Sequence, residues 1–239
     1  MLLETQGLTK TFGGIKANTD IDFALRVGQT MALIGPNGAG KSTFVGMLCG
    51  RIAASRGRVF FAGQNISALP AHKRIALGMA YTFQITSIFA NLSVRANMVL
   101  AAQRVLPSAG GAMEARIDDV LAQIGLEERK EQTAADLSYG HQRMLEIAMG
   151  LVQAPRLLIL DEPTQGLAES EINRFVAVVR ALQERTTLLL IEHNMDVVMR
   201  VAQRITVLNF GQILAEGTPQ EIQNNALVQA AYLGVAPDA

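Results

Sequence analysis

The chain has 239 residues, of which 49% are hydrophobic and 18% are charged, so it can bury a substantial core but is too short for two full-sized domains. Its 21 basic and 21 acidic side chains cancel, which removes the diffuse positive field expected of a protein that binds nucleic acid. The single cysteine, Cys49, excludes an internal disulfide and a cysteine-rich metal cluster.

The start of the chain bears on where the protein works. Met1-Leu2-Leu3-Glu4 and the residues after it lack the basic stretch and long apolar core of a secretory signal, so we expect a cytoplasmic protein. The longest apolar run ends at Asp161 and is shorter than the roughly 20 residues that a membrane-spanning helix requires. We therefore expect any membrane attachment to come through partner subunits.

The first third of the chain has the pattern of short strands separated by turns. Strands are predicted over residues 2–10, 21–27, 30–34 and 58–62. Glycine-containing turn signals, among them Gly13-Gly14 and Ala62-Gly63, separate these strands.

The middle third has helical spacing and almost no strand signal. Apolar residues recur at helical intervals over residues 94–105, 113–124 and 145–152. Residues 107–111, Pro-Ser-Ala-Gly-Gly, are predicted to form a surface turn inside this section. After Pro155 the pattern becomes buried strand (157–160), helix (169–183) and buried strand (187–191). Continuous apolar strands alternating with helices predict a parallel sheet covered on both faces, with the helical section inserted into it.

A glycine-rich loop lies between the apolar strand at residues 31–34 and a helical segment, which is the context that supports a phosphate-binding loop. Its nine consecutive residues are Gly35, Pro36, Asn37, Gly38, Ala39, Gly40, Lys41, Ser42 and Thr43. Glycines allow successive backbone N–H groups to face the phosphates, and the start of the following helix adds its positive dipole end. We expect Lys41 to reach the β- and γ-phosphates and Ser42 to bind Mg²⁺.

A second motif places two carboxylates at the end of the buried strand 157–160. Asp161 is expected to hold Mg²⁺, and Glu162 is expected to polarise the water that attacks the γ-phosphate. An acidic pair after an apolar strand often marks only the point where the strand reaches solvent. Its combination with the phosphate loop favours the catalytic interpretation.

A third motif, Leu137-Ser138-Tyr139-Gly140-His141-Gln142, lies between the other two. On these three motifs the chain resembles the ABC ATPase family, whose signature motif occupies this place. The resemblance implies that the signature of one subunit closes on the ATP held by another, with Ser138 and Gly140 contacting phosphate. Ser138 can also serve as a helix N-cap, and the two roles are compatible.

The same resemblance assigns three further residues. Gln84 matches the glutamine that touches the Mg²⁺ and water site and relays the nucleotide state to the membrane subunit. His193 matches the histidine that contacts the γ-phosphate, and Phe12 matches the aromatic residue that stacks on adenine. Taken singly, these would be a surface glutamine, a satisfied polar residue at a strand end and a core aromatic residue.

Three residues depart from the common family pattern. Tyr139 replaces a glycine and His141 replaces a glutamine or glutamate, so the fit around the opposing phosphate is expected to differ. Ala168 stands where the family often has aspartate, which removes one polar contact across the dimer. Because Ser138 and Gly140 are present, we expect hydrolysis to be retained.

The fold implied by the resemblance is an α/β P-loop NTPase of the ABC ATPase type. It has a mainly parallel sheet flanked by helices, an N-terminal antiparallel β subdomain and an inserted helical subdomain. We predict one domain over residues 1–239, with residues 1–84 and 155–239 forming the RecA-like catalytic core with the β subdomain. Residues from about 85 to 154 are predicted to form the helical subdomain that carries the signature.

The resemblance is strongest to the ATPases of branched-chain amino-acid importers, through Tyr139, residues 190–193 and residues 215–219. It implies ATP and Mg²⁺ as cofactors, and a homodimer or a heterodimer with a second ABC ATPase. The expected partners are two transmembrane permease subunits and, indirectly, a periplasmic or extracellular solute-binding protein, with the chain peripheral on the inner face of the membrane.

Three alternatives remain open. The chain could serve a lipid or lipopolysaccharide exporter, since only the permease would differ. A soluble ABC protein of DNA repair or translation would be expected to carry tandem cassettes, long coiled coils or basic surfaces. A binding-only module is disfavoured by the presence of Lys41, Asp161, Glu162 and His193.

Overall fold

The fold is described from a computed structural model of the chain, over residues 1–82, 87–106, 110–183 and 185–233. Gln84 and most of the predicted turn at residues 107–111 lie outside the described residues. Among the described residues, none of the helices combines the length and the apolar composition needed to cross a membrane.

The strands and helices alternate along most of the chain. In chain order the strands are β1 (Leu3–Phe12), β2 (Ile15–Leu25), β3 (Thr30–Ile34), β4 (Arg56–Phe61), β5 (Gln64–Asn65), β6 (Met79–Thr82), β7 (Leu157–Asp161), β8 (Thr187–Ile191), β9 (Arg204–Asn209) and β10 (Gln212–Gly217). The helices are α1 (Lys41–Leu48), α2 (Ala71–Ala76), α3 (Val94–Ala102), α4 (Gly111–Ile124), α5 (Tyr139–Leu151), α6 (Glu169–Leu182), α7 (Met195–Val201), α8 (Pro219–Gln223) and α9 (Ala226–Leu233).

The four strands β2, β1, β4 and β5 form an antiparallel sheet in that order. Strand β2 begins at Ile15, six residues before the predicted start at residue 21. Residues 15–20 are mostly polar and lack the alternation of a half-buried strand, but they pair with the end of β1 across the Gly13-Gly14 turn. This early part of β2 matters because it reaches the phosphate loop.

The second sheet has six strands in the order β10-β9-β3-β8-β7-β6. All neighbours are parallel except β10 and β9, and every residue of β3, β7 and β8 is buried. This burial explains their unbroken apolar sequences and confirms the predicted parallel α/β core. Since the carboxyl ends of parallel strands lie at one edge, β3, β7 and β8 deliver the phosphate loop, Glu162 and His193 to the same place.

Helices α3, α4 and α5 pack over one side of the six-stranded sheet. Their shared core includes Met98, Ile117, Leu121 and Leu145, and it continues into the sheet at Leu158. The opposite face of the sheet packs on α1 and the antiparallel sheet in a separate cluster. The helical section is therefore built against the sheet, where α5 contacts β6 and β7.

Candidate nucleotide site

The glycine-rich loop connects β3 to α1. Gly35, Gly38 and Gly40 have φ values of 153°, 79° and 96°, and a side chain at Gly35 would place Cβ 2.2 Å from the carbonyl oxygen of Leu208. Only glycine tolerates this combination of backbone conformation and close approach. The loop thus turns tightly at the end of β3, and α1 begins at Lys41 with its N-terminus at the loop.

Lys41 lies inside this loop. Its side chain is buried, and Nζ donates hydrogen bonds to the carbonyl oxygens of Gly35 at 2.7 Å and Pro36 at 3.1 Å. Burial lowers the pKa of Lys41, whereas the nearby carboxylates of Glu162 and Asp161 act to raise it. The charged amine is therefore held within the loop and close to both acidic residues.

The loop faces a cleft of about 420 Å³, a volume in the range of small-molecule sites. The cleft is lined by residues 37–43 of the loop and, from other elements, by Ile15, Lys16, Ala17, Glu162, His193, Phe210 and Gly211. Phe12 does not line it. The Phe12 ring is 47% exposed at the end of β1, with Lys10 Nζ 4.7 Å from its centroid, and Phe12 pairs with Ile15 across the hairpin.

Asp161 is the last residue of β7 and is buried. Its Oδ2 accepts a short hydrogen bond from the Tyr81 hydroxyl, and Arg51 Nη2 lies 3.0 Å from the same hydroxyl. Burial raises the pKa of Asp161, and the hydrogen bond from Tyr81 opposes that increase. Sequence reasoning missed Tyr81, because β6 is only four residues long and lies far from Asp161 in the chain.

Glu162 follows Asp161 and turns toward the cleft. Its φ of 48° is in the left-handed region, which costs a residue with a side chain about 1–2 kcal/mol. Its backbone N–H donates to the carbonyl oxygen of Ile191 at 2.8 Å, and its Oε1 lies 2.9 Å from His193 Nε2. The structure therefore brings together Lys41, Glu162 and His193 at one cleft, as their positions after adjacent strands predict.

The signature residues lie elsewhere in the same chain. Ser138 is the N-cap of α5, and its Oγ accepts a hydrogen bond from the backbone N–H of His141 at 3.3 Å. Gly140 lies against Glu171, where an added Cβ would be 2.1 Å from Oε1. Neither Ser138 nor Gly140 lines the cleft. This separation is compatible with the expectation that they serve the ATP held by another subunit.

The signature contacts the loop that follows Glu162. Tyr139 lies beside Gly166, where an added Cβ would be 3.2 Å from the tyrosine ring. Glu171 accepts a hydrogen bond from the Ala168 backbone N–H at 3.0 Å through Oε2, and its Oε1 lies 3.5 Å from Ser138 Oγ. The signature therefore packs against the segment that follows Glu162 in the same chain, which the sequence alone does not reveal.

Magnesium would find suitable donors at this site. The hydroxyl of Ser42 lines the cleft, and Asp161 supplies a carboxylate at the neighbouring strand end. Oxygen atoms of this kind are the ligands that Mg²⁺ prefers, together with phosphate oxygens and water. The third predicted ligand, Gln84, lies outside the described residues.

Comparison with known proteins places this geometry in a family. Residues 18–165 match the ABC transporter family, and residues 212–238 match the family described as branched-chain amino acid ATP-binding cassette transporter. The chain is 37% identical to the high-affinity branched-chain amino acid transport ATP-binding protein LivG of Escherichia coli K12, over 98% of each chain.

Two further matches come from an export system and a solved structure. The lipopolysaccharide export system ATP-binding protein LptB of Acidithiobacillus ferridurans is 32% identical over 98% of this chain and 97% of its own. MJ1267, an ATP-binding cassette of an ABC transporter solved in its ADP conformation, superposes with a TM-score of 0.88 at 26% identity. That match covers 98% of this chain and 99% of MJ1267. The chain therefore belongs to the ABC transporter family, as one of its ATP-binding and ATP-hydrolysing cassettes.

Proposed function

We propose that this chain powers an importer for branched-chain amino acids or a related small solute, by hydrolysing ATP on the inner face of the membrane. The observation that carries the catalytic part is the pairing of Glu162 with His193 at the cleft that the phosphate loop faces. The similarity to LivG supports the importer and its class of solute.

Binding of ATP is assigned to the loop and its lysine. Backbone N–H groups of the loop after Pro36 and the N-terminus of α1 would hold the phosphates, and Lys41 would exchange its carbonyl contacts for phosphate oxygens. Ser42 and Asp161 are proposed to hold Mg²⁺, with Gln84 as a further ligand. When bound, the ion would neutralise charge that develops on the phosphates.

Hydrolysis is assigned to the residues at the ends of β7 and β8. Glu162 accepts a proton from the attacking water, and His193 orients the Glu162 carboxylate and contacts the γ-phosphate. Phe12 is proposed to stack on adenine that extends beyond the cleft, because the residue is exposed and its strand partner Ile15 lines the cleft. In-line attack then needs only the γ-phosphate contacts that a second subunit supplies.

The second subunit is proposed to supply Ser138 and Gly140. The start of α5 presents backbone N–H groups, which is a favourable place for a γ-phosphate. Each ATP would then be held between two cassettes, in either a homodimer or a heterodimer. ATP must bind the closed dimer more tightly than the open one, because equal affinity for both states would drive no movement.

Transport would be driven through partner subunits. We propose that residues 1–84 and 155–239 act as the catalytic unit and that residues from about 85 to 154 transmit its movement to two permeases. Exposed apolar side chains on this helical section, including Phe89, Leu92 and Leu100, support the assignment. A solute-binding protein outside the membrane would deliver the solute to the permeases.

The alternative is an ATPase of a lipopolysaccharide or lipid exporter. It is supported by 32% identity to LptB across nearly the whole chain. The nucleotide site would be the same in both systems, because the transported molecule meets the permease and not this subunit. Only the identity of the membrane partners separates the two functions.

The test is affinity capture of the Glu162→Gln variant from native membranes in mild detergent with Mg-ATP. We expect the variant to bind ATP without hydrolysing it, and to retain two permeases of an amino-acid importer. Lipid-export proteins among the retained membrane proteins would support the alternative instead. Hydrolysis by Glu162→Gln at the wild-type rate would show that Glu162 is not the base.

A further inference from the structure

A buried carboxylate, Glu192, lies beside the proposed catalytic pair and is not among the residues assigned to ATP binding or hydrolysis. It is the first residue after β8, and its side chain is 3% exposed. Strands β7 and β8 pair Asp161 with Ile191, so Glu192 and Glu162 leave adjacent strands at the same level. Burying a carboxylate is costly unless hydrogen bonds compensate it.

Four hydrogen bonds compensate the cost of burying the Glu192 carboxylate, and each of its two oxygens accepts two of them. Oε1 accepts from the backbone N–H of Thr164 at 3.0 Å and also from the Thr164 hydroxyl. Oε2 accepts from the backbone N–H groups of His193 at 2.9 Å and Asn194 at 3.0 Å. One carboxylate thus connects the loop after Glu162 to the segment that carries His193.

The first oxygen acts on the Glu162 side. Glu162 is in the left-handed region, a conformation that persists only where the surrounding structure holds it. Thr164 is two residues further along, and the loop continues through a hydrogen bond from Leu167 N–H to the Thr164 carbonyl oxygen. Hydrogen bonds to both the backbone N–H and the hydroxyl of Thr164 therefore restrict the turn in which the Glu162 side chain faces the cleft.

The second oxygen acts on the His193 side. Asn194 caps α7 by accepting from the Val197 backbone N–H at 3.3 Å, so the chain between β8 and α7 is short and anchored at both ends. The two bonds to Glu192 Oε2 fix the backbone of His193 within this link. This fixes the point from which the imidazole reaches Glu162 Oε1, 2.9 Å from Nε2.

We propose that Glu192 is a positioning residue that holds the Glu162 and His193 segments in one geometry for hydrolysis. It touches neither ATP nor the attacking water, and its effect passes through the backbones of Thr164 and His193. This inference deepens the proposed function and rests on the catalytic roles assigned there to Glu162 and His193.

The test is the Glu192→Gln variant, which keeps the shape of the side chain and loses one acceptor. With the amide nitrogen at the Oε2 position, the backbone N–H groups of His193 and Asn194 both face an N–H group. With the nitrogen toward Thr164, the backbone N–H of Thr164 faces an N–H group, while the Thr164 hydroxyl can turn and accept. We expect kcat for ATP hydrolysis to fall about 10- to 100-fold, as for small misplacements of catalytic groups. The KM for ATP should stay at its wild-type value, because the phosphate loop is untouched.

A stability control separates this effect from general weakening of the fold. Phe175→Leu removes volume from a fully buried side chain on α6 and should lower Tm while leaving kcat unchanged. If Glu192→Gln lowers Tm to a similar extent but reduces kcat no more than Phe175→Leu, the positioning role is wrong.

A double variant tests whether Glu192 acts through the histidine. Residues that act as a unit are strongly non-additive, so Glu192→Gln should reduce kcat less in the His193→Ala background than in the wild type, and the loss that remains should come from the Thr164 side. Losses that multiply independently would show that Glu192 does not act through His193 and would overturn the joint positioning of the two segments. Wild-type turnover by His193→Ala or Glu162→Gln would be a different result: it would contradict the proposed catalytic site itself and the positioning role with it.

Discussion

The amide of Asn18 reaches from β2 to the end of the phosphate loop, where its Nδ2 lies 3.2 Å from the carbonyl oxygen of Gly40. Asn18 is fully buried, and next to it the Gly211 N–H donates to the Ala39 carbonyl oxygen at 3.0 Å. The antiparallel sheet and the β9–β10 turn therefore stabilise the loop through hydrogen bonds, in addition to β3 and α1, which flank it.

This support predicts a strong effect of Gly40→Ala. Gly40 has φ 96°, and an added Cβ would lie 2.5 Å from the Ala17 carbonyl oxygen and 2.6 Å from Asn18 Nδ2. Strain and overlap together should lower the free energy of unfolding by about 2–4 kcal/mol, measured by urea denaturation, and should weaken ATP binding. Gly14→Ala is the control, since it has ordinary φ and nothing within 4 Å of the added Cβ. Equal stability of the two variants would contradict the described packing.

Phe12→Ala should weaken ATP binding without slowing the chemical step. Loss of an aromatic platform under a base costs about 1–3 kcal/mol, so we expect KM for ATP to rise about 10-fold or more while kcat changes little. Phe210→Ala is the comparison, because Phe210 is 88% exposed and lines the cleft from the β9–β10 turn. A larger rise in KM for Phe210→Ala than for Phe12→Ala would indicate that adenine stacks on Phe210 in that turn instead.

His141 should make stability depend on pH. Its Nδ1 lies 3.0 Å from Ser138 Oγ and its Nε2 lies 3.1 Å from Arg174 Nη1. Because arginine can only donate, the neutral ring carries its hydrogen on Nδ1 and accepts at Nε2. Burial, and then the charges of Arg129 and Arg174, lower the pKa of His141.

The unfolded chain therefore binds a proton at His141 at a higher pH than the folded chain does. The His141 contribution to stability is present above about pH 6.5 and is lost as pH falls through the lowered folded pKa. We expect Tm to decrease less between about pH 8 and about pH 5.5 in His141→Gln than in the wild type. The same acid slope in both proteins would show that other groups cause it.

The exposed apolar residues of the helical section should be needed for the membrane complex and not for the chemistry. Phe89→Glu and Leu100→Glu place a charge on side chains that are 54% and 43% exposed. Burying that charge in an interface should cost at least about 2 kcal/mol, so capture of membrane partners should fall about 30-fold or more. Val27→Glu, at an exposed turn between β2 and β3, is the control that should retain the partners.

ATPase activity of the purified subunit should be unchanged in all three surface variants. If Val27→Glu loses the partners as readily as Leu100→Glu does, the interface lies elsewhere. If hydrolysis by the isolated subunit falls, the substitutions have disturbed the fold, and the capture result does not support a contact.

Much of the catalytic edge could be predicted because its signals are local. Strands β3, β7 and β8 are buried on both faces and read as continuous apolar runs, and the residues that follow each strand include Lys41, Glu162 and His193. The parallel arrangement then brings these residues to one edge without any further information. The N-terminus of α5 at Ser138 could likewise be predicted from its capping residue and spacing.

Other features depend on contacts between distant parts of the chain. Glu192 is 28 residues from Thr164, and Tyr81 is 80 residues from Asp161, so no local pattern marks either hydrogen bond. The polar start of β2 is a strand because it pairs with β1, and the β9–β10 hairpin completes the sheet edge beyond the last predicted strand. These elements follow from tertiary pairing, which overrides weak local preference.

The contact of Tyr139 with Gly166 has a consequence for dimers made of two different cassettes. In the proposed dimer, the signature that contains Tyr139 faces the ATP of the opposite subunit, while Gly166 belongs to the loop that follows this subunit's own Glu162. If the second cassette is a paralogue with a smaller residue at the position of Tyr139, the contact between the ring and the loop after the catalytic glutamate exists in only one of the two subunits. Such a dimer would hydrolyse its two ATP molecules at unequal rates, so the identity of the second cassette would decide whether the motor works symmetrically.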